Sequence, residues 1–439
     1  MKQRSLGVGV TMMLLSATTI VAAQATARAT AARTAPRFEV DPMWPLPMPN
    51  HWILGSTVGV AVDSRDHVFI VNLTDTFNPR TESGSGTNPP TGECCTPAPN
   101  VVEYDAAGNT VGHFGGPGAG YDWPEMNDGI AVDGHGNVWI GGMGGADTRI
   151  LKFAHDGKFV AEFGKAGTPV GAVANGGRGA DTAYGGVSPG RGAAAGRGGA
   201  GRGRGGRPVT PALPANSSSM DTFGGAAGFS FDNEANEAYV ADGYRNHRVA
   251  VIDMTTGAVK RYWGAYGDKP VDGAPVTYDP NAAPSKQFGN PVLCAQLAKD
   301  GLVYVCDTQN DRIQVFKKDG SFVREKVVAP ATRGTGSVWD IAFSRDPQQK
   351  YLYVADGMNM KVHILDRQSL EELTSFGDGG RQPGQFYAVH SVATDSKGNI
   401  YTAETYEGKR VQKFNYKGVG PIVRLNRGVV WPTIARTKP

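Results

Sequence analysis

Cysteine is scarce in this 439-residue chain and charge is thin, with four cysteines and 19% Asp, Glu, Lys and Arg. No two cysteines stand as C-x-x-C, which removes the usual thiolate zinc sites. The phosphate-cradling G-x-x-x-x-G-K-[ST] and H-E-x-x-H are absent, and G-x-S-x-G occurs once, as Gly186-Val187-Ser188-Pro189-Gly190 inside a Gly/Arg-rich stretch. The nucleotide-binding and zincin signals are therefore missing, and a G-x-S-x-G in low-complexity sequence lacks the strand-to-helix context of a hydrolase nucleophile. After residue 23 no stretch is apolar enough to cross a membrane. His51, His67 and His113 have no ligand-like spacing, and His135 falls in a D-G-H-G-N turn where exposure is expected. Turn chemistry is what the chain has in quantity: 61 glycines and 28 prolines, about a fifth of all residues.

The chain opens MKQRSLGVGVTMMLLSATTIVAAQATARA, a basic start followed by an apolar run from Leu6 to Ile20. Small residues come next, and Val21-Ala22-Ala23 or Ala23-Gln24-Ala25 offers an A-x-A-like cleavage site. This predicts a signal peptide over 1–23 and a secreted or periplasmic mature protein with no membrane span. Export permits disulfides, and four cysteines allow three pairings, which the sequence leaves open. Cys294 and Cys306 flank a K-D-G turn and are expected on neighbouring strands, whereas Cys94 and Cys95 are adjacent in a loop. The formal charge of +3 drops by two when Lys2 and Arg4 leave. Six arginines against the single acid Asp181 lie between 171 and 207, so the rest of the mature chain is net acidic.

One pattern recurs along the chain. A strand ending in an acid, a turn and a second strand appear in "VGVAVDSRDHVFIVN" (58–72), "DGIAVDGHGNVWIGG" (128–142) and "AGFSFDNEANEAYVAD" (227–242). They return in "LCAQLAKDGLVYVCD" (293–307), "WDIAFSRDPQQKYLYVAD" (339–356) and "HSVATDSKGNIYTAE" (390–404). A further hairpin follows each, such as "RIQVFKKDGSFVREKV" (312–327). Alternation in each arm predicts antiparallel strands. Four strands in each of six units make an all-β, six-bladed β-propeller over 38–439, whose ring must close because a blade cannot cover its own faces. The proline-rich residues before 58 are expected to lie against the ring or to supply its closing strand. The last stretch, "GPIVRLNRGVVWPTIARTKP", is given the same role. Aromatic-glycine endings at 114–115, 163–164, 263–264 and 376–377 are expected to pack between blades.

Junctions 73–99, 166–222 and 266–287 are enlarged. The middle one holds "GRGAAAGRGGAGRGRGGRP", a low-complexity Gly/Arg-rich insertion with too few apolar groups to order itself. With Tyr184 its one aromatic ring, it reads as a solvated loop and nucleic acid is not the expected partner. Asp242, Asp307 and Asp356 recur before turns and basic residues, and are expected to brace both.

"GNIYTAETYEGKRVQKF", "DGLVYVCDTQNDRIQVFKKDG" and "GRQPGQFYAVHSVATD" resemble NHL repeats, and the blade order is similar to that of the peptidyl-α-hydroxyglycine α-amidating lyases over roughly 38–420. The resemblance implies a lyase that cuts a peptidyl hydroxyglycine to an amide and glyoxylate at a central metal. "ADGYRNHRV" matches the segment of the catalytic tyrosine, which here is Tyr244, and "FYAVHSVATD" that of a metal histidine, here His390. The first metal-histidine position, in "EMNDGIAVD", is Asp128, and the second falls on Val292 or Leu293. The family's arginine position, near Leu73, has no arginine. The resemblance thus implies Tyr244 as acid-base group and Zn²⁺ or Ca²⁺ on His390 and Asp128, with a small-molecule or peptide ligand on the loop-rich face of a monomer. The alternative is a non-catalytic propeller that binds a peptide, glycan or protein on that face.

Overall fold

The computed structural model describes residues 33–78, 81–167, 213–273 and 277–422. The segment assigned to a signal peptide, most of the Gly/Arg insertion and the last 17 residues lie outside it. Six four-stranded antiparallel sheets follow one another in chain order. Their inner strands are Ser56–Val62, Asn127–Val132, Ala226–Asp232, Val292–Leu297, Asp340–Phe343 and Val389–Thr394. Each inner strand touches the next and the sixth touches the first, so the ring is closed. This is the six-bladed β-propeller that the repeats predict. No helix among the described residues is long and apolar enough to cross a membrane.

Closure comes from the N-terminal side. Thr34–Asp41 is the outermost strand of the sixth blade and pairs antiparallel with Arg410–Pro421. The segment before 58 therefore supplies the closing strand, while residues 423–439 lie outside the described part. The core is a ring rather than a centre: six apolar clusters each fill one seam between neighbouring blades. That follows from strands buried on both faces, which read as continuous apolar runs such as Phe69-Ile70-Val71.

The aromatic-glycine endings do pack between blades, and for three of the four rings the next blade supplies a glycine. Phe114 lies under Gly157, Phe163 under Gly257 and Trp263 under Gly320, all three glycines having positive φ in hairpin turns. A Cβ at Gly257 would come 2.4 Å from the Phe163 ring, so only glycine serves there.

The acids brace the turns as expected. Asp242 Oδ2 accepts from Arg248 Nε at 2.7 Å and Asp307 Oδ2 from Arg312 Nε at 2.6 Å. Asp356 Oδ2 meets His363 Nε2 at 3.0 Å, and Glu404 Oε1 accepts from Arg410 Nε at 2.7 Å. Each of Asp242, Asp307 and Glu404 also accepts from the amide of a loop residue leading into its own blade's inner strand: Gly224, Gly289 and Tyr387. The pairs thereby fix where the inner strands begin. Residues 213–222, at the end of the assigned insertion, belong to this packing: Leu213 is buried and the carbonyls of Ser217 and Ser219 accept from Arg248. The cysteines pair as Cys94–Cys95 and Cys294–Cys306, the second bridging the two inner strands of blade 4.

Candidate functional site

Inner strands can be matched by the pairs Val60↔Ile70, Ile130↔Ile140, Phe229↔Val240, Ala295↔Val305, Ile341↔Val354 and Val392↔Thr402. Two residues before each stands one layer of the axial channel: Val58, Asp128, Ala227, Leu293, Trp339 and His390. Register thus selects Leu293 over Val292 as the position matching Asp128 and His390. The strands converge closely here because the next layer is glycine in three blades. A Cβ on Gly129 would lie 2.5 Å from the Ala227 carbonyl oxygen. Along the axis runs a cavity of about 300 Å³ bordered by Asp340, His390 and Ser391 among others.

Asp128, Tyr244 and His390, more than a hundred residues apart in sequence, meet at one end of this channel. The Tyr244 hydroxyl donates to Asp128 Oδ2 at 2.8 Å. Tyr244 reaches across from blade 3 because Arg245 beside it ties the turn to blade 2, donating to the Gly144 carbonyl at 2.7 Å. His390 Nδ1 lies 2.6 Å from the Val58 carbonyl oxygen, which can only accept, so Nδ1 carries the proton. The Nε2 lone pair then faces Asp128 Oδ1 at 3.9 Å. Asp128 Oδ1 is buried and has no hydrogen-bond partner.

Burial decides the charges. It pushes the Asp128 carboxyl up to about 8 against the lowering hydrogen bond from Tyr244, with repulsion from Asp340 adding to the rise. Burial also raises Asp340, to about 6, although its oxygens accept from Ser391 Oγ and two backbone amides. Burial lowers His390 to about 4. At neutral pH the site holds a protonated carboxyl beside a neutral imidazole with a free lone pair.

Unfolded, Asp128 ionises near pH 4 and folded near 8, so between these values the unfolded chain binds fewer protons and stability falls as pH rises. Asp128→Asn keeps the shape and cannot ionise. Its melting temperature relative to the parent is expected to climb steadily from pH 4 to pH 8 and then level. An unchanged difference across thermal melts at pH 4, 6, 8 and 9 would mean that the carboxyl is not buried in its neutral form.

A catalytic zinc takes three protein ligands and leaves one position open. Here the layer offers two donors, and Val58, Ala227, Leu293 and Trp339 fill the rest. Calcium wants six to eight oxygens. The residues at this position do not fit either ion, and what the arrangement can do is move protons.

Around the outer lip of the trio lie aromatic residues that the sequence did not single out. Trp339, Tyr387 and Tyr406 join Tyr244, Leu293 and Ala227 in one apolar cluster. The Trp339 ring stands edge-on to His390 at 5.4 Å. Leu293, Trp339 and His390 border both the axial cavity and a small hollow that Tyr244 and Tyr406 also line. Ala388 and Tyr406 both hold positive φ, 50° each, which is costly for residues with a Cβ. Asp340 could have been found by sequence, since it stands among apolar neighbours in "VWDIAF" as Asp128 does in "DGIAV".

A ring of six sheets with a polar trio at one end of its channel defines the class of this protein: a six-bladed β-propeller with an axial site. No family model matches the sequence, and no curated protein matches it. Among solved structures, one of streptogramin B lyase is 12% identical with a TM-score of 0.43, over 88% of this chain and 98% of that one. Another, of a catalytically inactive virginiamycin B lyase from Staphylococcus aureus with quinupristin, is 12% identical with a TM-score of 0.41, over 87% and 89%. At such distance the likeness says nothing of activity.

Proposed function

We propose that the protein is an exported lyase that cleaves a small hydroxylated substrate at the end of the propeller channel by proton transfer. The observation carrying this reading is the buried Asp128 carboxyl, 2.8 Å from the Tyr244 hydroxyl and 3.9 Å from the His390 lone pair, with one oxygen unpartnered. An oxygen about 2.8 Å from both Nε2 and Oδ1 would satisfy the two groups together. With a hydroxyl there, the proton leaves to His390 Nε2 and the oxygen's electron pair closes a carbonyl. The adjacent C–N bond breaks, and the departing nitrogen takes the Asp128 proton while Tyr244 steadies the carboxylate left behind. Return of the proton from His390 to Asp128 resets the site. The sequence resemblance to amidating lyases supports an α-hydroxyglycine peptide as the substrate to try first, and the Cys294–Cys306 disulfide supports export.

Glyoxylate release from such a peptide by the purified mature chain is the test. His390→Ala and Asp128→Asn are each expected to lower kcat by about 10²–10⁴, and Tyr244→Phe by less. Equal rates in parent and all three variants would end the proposal. A second reading, a binding propeller without chemistry, is favoured by the aromatic lip and by Leu293 at a ligand position. Peptide binding that Tyr406→Ala weakens, with no product formed by the parent, would select it.

A further inference from the structure

The turn between the two inner strands of each blade is closed by an aspartate in blades 1, 2 and 6, and the three can be compared position by position. Asp133 and Asp395 take backbone amides on one oxygen and side-chain donors on the other. The donors are Asn137 Nδ2 and Trp139 Nε1 in blade 2, and Asn399 Nδ2 and the Tyr401 hydroxyl in blade 6. Blade 1 keeps the acid as Asp63 but has His67 where the asparagines stand and Phe69 where the Trp and Tyr stand. Asp63 Oδ1 still accepts from the amides of Arg65 and His67, each at 2.8 Å. Its Oδ2 has lost both usual donors.

Other groups gather at that oxygen. His155, from the outer hairpin of blade 2, brings Nε2 to 3.3 Å from Asp63 Oδ2 and 3.2 Å from Glu103 Oε1. His67 Nδ1 lies 2.6 Å from Glu103 Oε1. The His155 ring is held edge-on against Phe69 at 5.1 Å, the residue that replaced the missing donor. His155 Nε2 is shielded from solvent, yet no neighbour is in line to hydrogen-bond it. Arg65, 54% exposed, lays Nε and Nη2 on Asp63 Oδ2 at 3.0 Å each. His67, which has no ligand-like spacing in the sequence, thus joins Asp63 and His155 in a group whose ligand atoms all lie within 4.8 Å of one another, and Glu103 borders it through both histidines.

We propose that Asp63, His67, Glu103 and His155 form a zinc site that clamps blade 1 to blade 2 at the outer seam. A tetrahedral zinc with bonds near 2.0–2.3 Å spaces its ligand atoms about 3.3 Å apart, and the two contacts of His155 Nε2 already stand at 3.3 and 3.2 Å. Two imidazoles with two carboxylates suit zinc, whereas calcium and magnesium prefer oxygen alone. Arg65 occupies the place of the cation on Asp63 and, being largely exposed, swings out when the ion enters. Opening of the His67–Glu103 contact gives the fourth ligand. With all four positions filled by protein the site is structural, separate from the channel where Asp128 and His390 lie.

The test uses the full mature chain stripped with chelator, titrated calorimetrically with Zn²⁺ and, as a geometric probe, with Co²⁺ followed by visible absorption. The parent is expected to take up one zinc, to gain melting temperature on doing so, and to show the intense d–d bands of a tetrahedral cobalt. His155→Gln and Glu103→Gln should each weaken zinc at least about tenfold and erase those bands, while melting without metal checks that they are folded. His390→Ala should bind as the parent does. Zinc affinity equal in parent and both outer-seam variants, loss of zinc in His390→Ala instead, or no uptake by the parent would each overturn the proposal.

Discussion

A chain that lacks Thr34–Asp41 is expected to lose its cooperative unfolding transition. This strand carries Phe38 and Val40, both buried, into the last seam, where Phe38 meets the Tyr353 and Phe376 rings at 5.5 Å each. It also pairs along most of its length with Arg410–Pro421. Without it the sixth blade has three strands, an open edge and an uncovered apolar face. Because every seam relies on its two neighbours, one open blade weakens the ring as a whole. Purified protein starting at residue 44 should bind a hydrophobic dye and melt broadly, and removal of the chain from residue 386 onward should do the same from the other side. A sharp transition within a few degrees of the parent would show that the ring closes without this strand.

Asp242→Ala is expected to cost about 3–5 kcal/mol, because it leaves the Arg248 guanidinium buried with no counter-charge. Both side chains are fully buried, and the pair holds the turn bearing Tyr244 on one side and residues 217–222 on the other. Replacing both partners by apolar residues of similar size, Asp242→Leu with Arg248→Met, removes the unpaired charge and should recover much of the loss. Chemical denaturation of the parent, the single variant and the double variant measures this. If the single variant unfolds at the parent's denaturant concentration, Arg248 must be reaching water, and the pair is no brace.

The blades were legible because burial on both faces and a four-strand period leave a mark in every unit: apolar inner strands, an acid, a turn, a base. Asp242, Asp307 and Asp356 could be assigned to bracing from their recurrence alone, and their partners Arg248, Arg312 and His363 follow within a few residues. The candidate site was legible in part. Asp128, Tyr244 and His390 were named through a family resemblance, and what brings them together is the register of inner strands from blades 2 and 6 and a turn from blade 3. The choice between Val292 and Leu293 had to wait for that register, since a shift of one residue turns a side chain from the channel into the sheet.

Other features left no trace along the chain. His67 and His155 stand 88 positions apart, with Glu103 between them, and no spacing rule links residues that meet across a seam between two blades. The aromatic lip of Trp339, Tyr387 and Tyr406 is drawn from three separate loops that look like ordinary turns. The sequence by itself determined the repeat, the strand alternation and the local pairs within a blade, because these depend on neighbours a few residues apart. The protonation of Asp128, the tautomer of His390 and the zinc-ligand set at the outer seam were decided only by the tertiary structure, because desolvation and contact across blades arise when the ring closes.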